Sequence, residues 1–146
     1  MPESSAIDQA LVDKLLGDAT LRTLLPDGVF FDEAGPSIAG GGNATRFVLV
    51  SLADETDEAV FGHRGFEDAL YLVKAVELKP AIGSGNVKAA AARIDVLLED
   101  GTITAAGYTP MVCHRESRFR ITEVDEHDTS IRWQHRGGHY RVQQSV

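Results

Sequence analysis

Five histidines and one cysteine invite a search for a metal site. Cys113 and His114 are adjacent, so on an extended segment they face opposite sides. His135 and His139 are four apart, but Gly137 and Gly138 break any helix that would align them. His63 and His127 stand in separate polar stretches. None of this has zinc-ligand spacing, so neither a metal nor another cofactor is expected. Serine, histidine and aspartate are all present, yet no Gly-x-Ser-x-Gly elbow presents a nucleophile. The pairs Asp54/Glu55 and Asp57/Glu58 have the residue types for acid–base work. They fall in a stretch, Ala53 to Gly65, that reads as a polar loop with nothing to raise one pKa. Gly40-Gly41-Gly42 resembles a phosphate cradle, but the chain runs on through Asn43-Ala-Thr-Arg46 into a strand, without the Lys-Ser/Thr pair that opens a helix. No enzyme site is expected.

The stretch from Trp133 to Val142 is different. Aromatic, arginine and histidine side chains surround a glycine pair on an extended segment. Trp, Tyr and Arg are the types most enriched at the energetic centres of protein interfaces, although they also occur in ordinary cores. The interface candidates are Trp133, His135, Arg136 and Tyr140, with Arg118 and Arg120 on the preceding strand.

Those residues need a hairpin to position them. In Ser117–Val124, Phe119, Ile121 and Glu123 alternate with Arg118, Arg120, Thr122 and Val124. Asp125-Glu-His-Asp128 reads as the turn, and Ser130–Val142 as the return strand. Gly137-Gly138 inside a strand marks a bulge or a close backbone approach. Upstream, Ile7, Leu11, Leu15 and Leu16 predict a helix over 5–16, capped by Ser4 or Ser5. A short helical turn follows over 19–25, then a strand, Val29–Phe31. Residues 32–45 read as a flexible loop of unusual length. Phe47–Leu52 and Phe66–Leu78 read as buried strands, with a helix as the alternative for the second. Val87, Ala90, Ala91, Ile94, Leu97 and Leu98 form the stripe of a second main helix, with Ser84 to Asn86 at its cap and Asp100-Gly101 as its stop. The expected class is α+β: one domain over residues 1–146, an antiparallel sheet with two main helices packed on one face, a two-layer sandwich.

The totals set bounds on partners. A hydrophobic content of 43% and a charged content of 25% are those of an ordinary globular chain. One cysteine excludes an internal disulfide, and no secretion signal or membrane-length apolar run is visible. The net charge of −8 is uneven: from Arg115 to Arg141, six arginines face five acids, while the rest is strongly acidic. Nucleic-acid binding by phosphate neutralisation needs clustered bases, so those arginines read as protein-contact or cross-strand residues.

Taken together, the helix ending near Leu25, Leu25-Pro-Asp-Gly-Val-Phe-Phe31, Arg46-Phe-Val-Leu-Val-Ser-Leu52, Tyr71-Leu-Val-Lys-Ala-Val-Glu77, the helix from Val87, and the closing motifs His114-Arg-Glu-Ser-Arg-Phe-Arg-Ile121 and His135-Arg-Gly-Gly-His-Tyr-Arg-Val142 carry a resemblance. Over nearly its full length the chain resembles the tail-completion, or tail-terminator, proteins of long-tailed bacteriophages and gene-transfer particles. The resemblance implies a structural virion protein without catalytic residues. It implies a homo-oligomeric ring, usually a hexamer, that terminates the tail tube and joins it to the head connector. Its partners would be copies of itself, the tail tube protein and a head–tail connector protein, with DNA passing through the lumen without specific binding. It would reside in the neck of the virion tail after synthesis in the bacterial host cytoplasm. The alternatives are a head–tail connector component and, from another class, a small-molecule-binding or hydrolytic enzyme using the Gly40–Gly42 loop. On the ring reading Asp54, Glu55, Asp57 and Glu58 are candidates to line the lumen, where like charge repels the duplex. The outer rim is the other place for them.

Overall fold

A computed structural model describes residues 5–60, 63–79, 85–99 and 101–145. The capping candidates Ser4, Ser84 and Asp100, and the side chains of His63, Asp57 and Glu58, lie outside what it describes. The elements are α1 (Ser5–Leu16), α2 (Ala19–Leu24), β1 (Val29–Phe31), β2 (Arg46–Val60), β3 (His63–Lys79), α3 (Gly85–Leu98), β4 (Thr109–Val124) and β5 (Arg132–Ser145). The five strands form one sheet in the order β1-β2-β3-β5-β4. None of the described helices is long and apolar enough to cross a membrane.

The α+β class holds, but the expected sandwich differs from the structure in three respects. First, the sheet is mixed: β1 pairs with β2 in parallel, Val29 opposite Val48. That explains the long segment between them. Parallel neighbours need a crossover of a dozen or more residues, because the chain must return along the strand before pairing. Second, three helices contribute to the main core. Ile7, Leu11 and Leu15 of α1, Leu21 of α2, and Val87, Ala90, Ile94 and Leu98 of α3 share one cluster with Val48, Val50, Tyr71, Val73, Tyr140 and Val142 of the sheet. Third, the sheet carries a smaller apolar cluster of its own on Phe47, Val76 and Ala44, with Phe30, Leu49 and Trp133 packed against it. Phe47 meets Phe30 and Trp133 edge-on, at centroid distances of 5.9 and 6.2 Å.

The crossover loop is tied down rather than loose. Asp27 accepts hydrogen bonds from the Ser37 hydroxyl at 2.7 Å and from the backbone amides of Thr45 and Arg46, each at 2.9 Å. The Ile38 amide donates to the Asp27 carbonyl, and Pro36 bridges to Asn43. Burial alone would push the Asp27 carboxyl up. The donors from Thr45, Ser37 and Arg46 outweigh it and hold the group below its usual range.

Asp18 caps α2, accepting from the Leu21 amide at 2.9 Å, and ties it to α3 through two bonds from Arg93, at 2.6 and 2.9 Å. These bonds hold the Asp18 carboxyl below its ordinary pKa, the Arg93 bond first.

Residues 53–60, expected in a polar loop, are part of β2. They pair with β3 as far as Val60 opposite His63, across register shifts at Leu52/Asp54 and Glu58/Ala59. Four acids between Asp54 and Glu58 leave this part of the strand without apolar alternation, so it reads as loop by composition.

Candidate functional site

The C-terminal hairpin forms as its alternation requires, β4 against β5, with Phe119 opposite Gly137 and Arg120 opposite Arg136. Asp125 makes the turn by accepting from the amides of His127 and Asp128. Two irregularities fall on β4, at Pro110/Val112 and Arg115/Ser117. The second leaves Glu116 as the extra residue between the Arg115–Tyr140 and Ser117–His139 pairs. The glycine pair answers to close approach. A Cβ on Gly138 would stand 2.8 Å from the Ser117 carbonyl oxygen, and one on Gly137 would strike β3. Neither glycine has positive φ, so close approach and not a left-handed backbone is what calls for them.

The six interface candidates divide between the two faces of the sheet. Trp133 and His135 sit on the face away from α3. Trp133 is half-buried in the Phe47 cluster and is a packing residue of its own chain. His135 is buried, with Nε2 3.2 Å from the Glu123 carboxylate but not aligned for a hydrogen bond. Burial pushes its pKa down, Lys74 adds to that, and Glu123 opposes it. Lys74 itself lies over the Phe119 ring, 5.4 Å from its centre. His139, on the same face, meets the Ser117 hydroxyl at 3.1 Å.

Arg118, Arg120, Arg136 and Tyr140 face the other way. With Lys88 and Asp95 of α3 and Arg115 of β4 they line a cleft of about 510 Å³. Tyr140 is buried and donates to Asp95 at 2.9 Å; burial and that bond push its hydroxyl pKa up, so it stays a donor. Arg115 also reaches Asp95, at 3.2 Å. Among the described residues no carboxylate pairs with Arg118, Arg120 or Arg136. Arg120 and Arg136 are direct cross-strand partners, and like charges placed directly opposite are destabilising. The parity of positions 133 and 135 against 136 and 140 on one strand is the signal that separates the two groups.

Arg141, a further basic group of the hairpin, is spoken for. Arg141 donates to Asp68 on β3 at 2.6 Å and to Glu116 on β4, so one guanidinium spans three strands. Of the lumen candidates, Asp54 is exposed and Glu55 half-buried, and all four lie on β2. Among the described residues no group of three His, Cys, Asp or Glu gathers to hold a metal ion.

No family model and no curated protein matches the chain. It is similar in structure to a chain of the virion of a native gene transfer agent particle, with a TM-score of 0.61 and 20% sequence identity. The match covers 98% of this chain and 97% of that one. At that identity the likeness is one of fold.

Proposed function

We propose that the chain is a structural protein of a phage-like particle, acting as a tail terminator: a ring, a hexamer in the virion, that ends the tail tube and joins it to the head connector. The observation that carries the reading is the likeness, across nearly the whole of both chains, to a chain of a gene transfer agent virion. The sequence resemblance described above points the same way. The hairpin carries a cleft of charged side chains open to solvent, suited to gripping another protein. Rings of identical subunits close through heterologous contacts, in which one patch of a subunit meets a different patch of the next. The Arg118, Arg120 and Arg136 side of the hairpin is one such patch.

A strain lacking the chain tests the function. Heads and tails should accumulate unjoined and be rescued by the native chain in trans. Arg136→Ala should give a folded protein that fails to rescue, since truncating an arginine at an interface centre costs about 2 kcal/mol or more of binding. Normal joining without the chain would refute the role. Normal joining with Arg136→Ala would leave the role and remove this surface from it.

A further inference from the structure

β4 is an outer strand of the sheet, paired with β5 on one side only. An edge strand turns the N–H and C=O of every second residue outward, a template for another strand. The first half of β4 is poor ground for one. Its ladder is broken at Pro110/Val112 and Arg115/Ser117, and the Arg115 amide is taken by the Glu99 carboxylate at 2.7 Å. From Ser117 to Val124 the register with β5 is unbroken, and among the described residues no backbone pairs with the outer side.

The side chains along this free edge sort by face. Arg118 and Arg120 are exposed and rise on the α3 side, into the cleft they share with Lys88, Arg115 and Arg136. The one carboxylate in that lining, Asp95, is already engaged by Tyr140 and Arg115. Arg136 stands directly across from Arg120, a like-charge cost that an incoming carboxylate relieves. Phe119 and Ile121 point to the other side; Phe119 is half-buried and Ile121 is 45% exposed. A strand laid along this edge therefore meets cations with one set of alternate residues and apolar surface with the other. Opposite-charge and apolar cross-strand pairs both stabilise, so the strand that fits alternates acidic with apolar residues.

Arginine on an edge also keeps edges apart, and here it does so selectively. A second copy whose Arg118 or Arg120 falls opposite these arginines places like charges face to face, which is destabilising. A nucleic acid has the charge but lacks the peptide groups that complete a ladder. We infer that the Ser117–Val124 edge of β4 takes, by strand addition, an extended segment of another protein in which acids alternate with apolar residues. Main-chain hydrogen bonds supply the affinity, while Arg118 and Arg120 select the sequence. This goes beyond the ring reading and does not need it.

The test uses the full chain and two short capped peptides, one alternating valine with glutamate, the other valine with glutamine. Amide hydrogen exchange is followed residue by residue. At millimolar glutamate peptide, the outward amides between Ser117 and Val124 should exchange at least ~5-fold more slowly, less so as salt is added. The glutamine peptide should bind about 5-fold more weakly, through loss of two cross-strand charge pairs. Arg118→Gln/Arg120→Gln should abolish that difference; the comparison of peptides on the native chain stands whether or not the variant folds. Equal binding of the two peptides, binding that slows no β4 amide, or no binding at millimolar peptide overturns the inference. Slowing that grows with protein concentration alone would make the occupant a second copy, and slowing by single-stranded DNA but not by the peptide would make it a nucleic acid; either also overturns it. Head–tail joining by the native chain is read separately and would survive each of these results.

Discussion

Gly137 lies so close against β3 that a Cβ on it would stand 2.0 Å from the carbonyl oxygen of Val73 and 2.6 Å from the Lys74 Cα. Backbone cannot yield as the end of a side chain can, so any larger residue here pushes β5 away from β3. Gly137→Ala should lower the urea midpoint by an amount equivalent to about 3 kcal/mol, the upper end of what overpacking costs. Gly40→Ala is the control, because nothing lies within 4 Å of a Cβ there. Equal midpoints for the two variants would show that the approach relaxes freely.

The same contact shows what sequence reveals and what it hides. Two adjacent glycines in an extended segment announce that a neighbour comes near, and alternation correctly divides Phe119 and Ile121 from Arg118 and Arg120. The bounds of α1 follow from Ile7, Leu11 and Leu15. Strand direction does not follow, since alternation is the same in parallel and antiparallel pairing, and so β1 beside β2 in parallel is not legible there. Residues 53–60 were hidden for another reason. Asp54, Glu55, Asp57 and Glu58 break the apolar alternation and mask a strand held by its ladder with β3. The cleft was half legible. The parity of Arg136 and Tyr140 is in the sequence, but the packing of α3 that makes a concave wall beside them is not.

Asp27 should prove a fastening of the crossover loop. Its carboxylate holds both ends, Ser37 and the Thr45–Arg46 amides, against β2. Asp27→Ala leaves those partly buried donors without an acceptor, at a cost of about 2 kcal/mol. Limited proteolysis within 32–45 should quicken as the denaturation midpoint falls. Because the folded carboxyl is held below its ordinary pKa, its contribution is present at neutral pH and lost as pH falls through that lowered value. An Asp27→Ala chain with native loop resistance would show that the Pro36–Asn43 bridge holds the loop unaided.

His135 should give the fold a weakness in mild acid. Its folded pKa is lowered, by burial first and then by Lys74, with Glu123 opposing. For a base the sign is as follows. The fold favours the neutral ring, so no penalty exists above the unfolded pKa of about 6.5, and a penalty grows as pH falls below it. The lowered carboxylates Asp18 and Asp27 lose their contributions only in stronger acid. Between roughly pH 7.5 and pH 5 the native urea midpoint should therefore fall more than that of His135→Gln, in which this titration is absent. Comparing the two slopes cancels the remaining histidines. Parallel slopes would mean that Glu123 holds the charged ring well enough to offset its burial.

The acidic segment of β2 separates two accounts of the ring. If Asp54, Glu55, Asp57 and Glu58 line a lumen, they act on DNA by repulsion, which counter-ions screen within about 10 Å at moderate salt. If they meet a basic surface of a neighbouring subunit, they act on assembly by attraction, which the same salt weakens. Replacing all four with serine and asparagine, in a strain otherwise lacking the chain, tells the two apart. The lumen account predicts joined particles that eject DNA more slowly, most clearly at low ionic strength, where the lost repulsion was strongest. The contact account predicts unjoined heads and tails, with ejection from the few complete particles unchanged. Salt acts in opposite directions as well. High ionic strength during native assembly should mimic the variant if the acids make a contact, and should leave joining intact if they only face DNA. The rim account, in which the acids merely keep the surface hydrated, predicts no change in joining or in ejection.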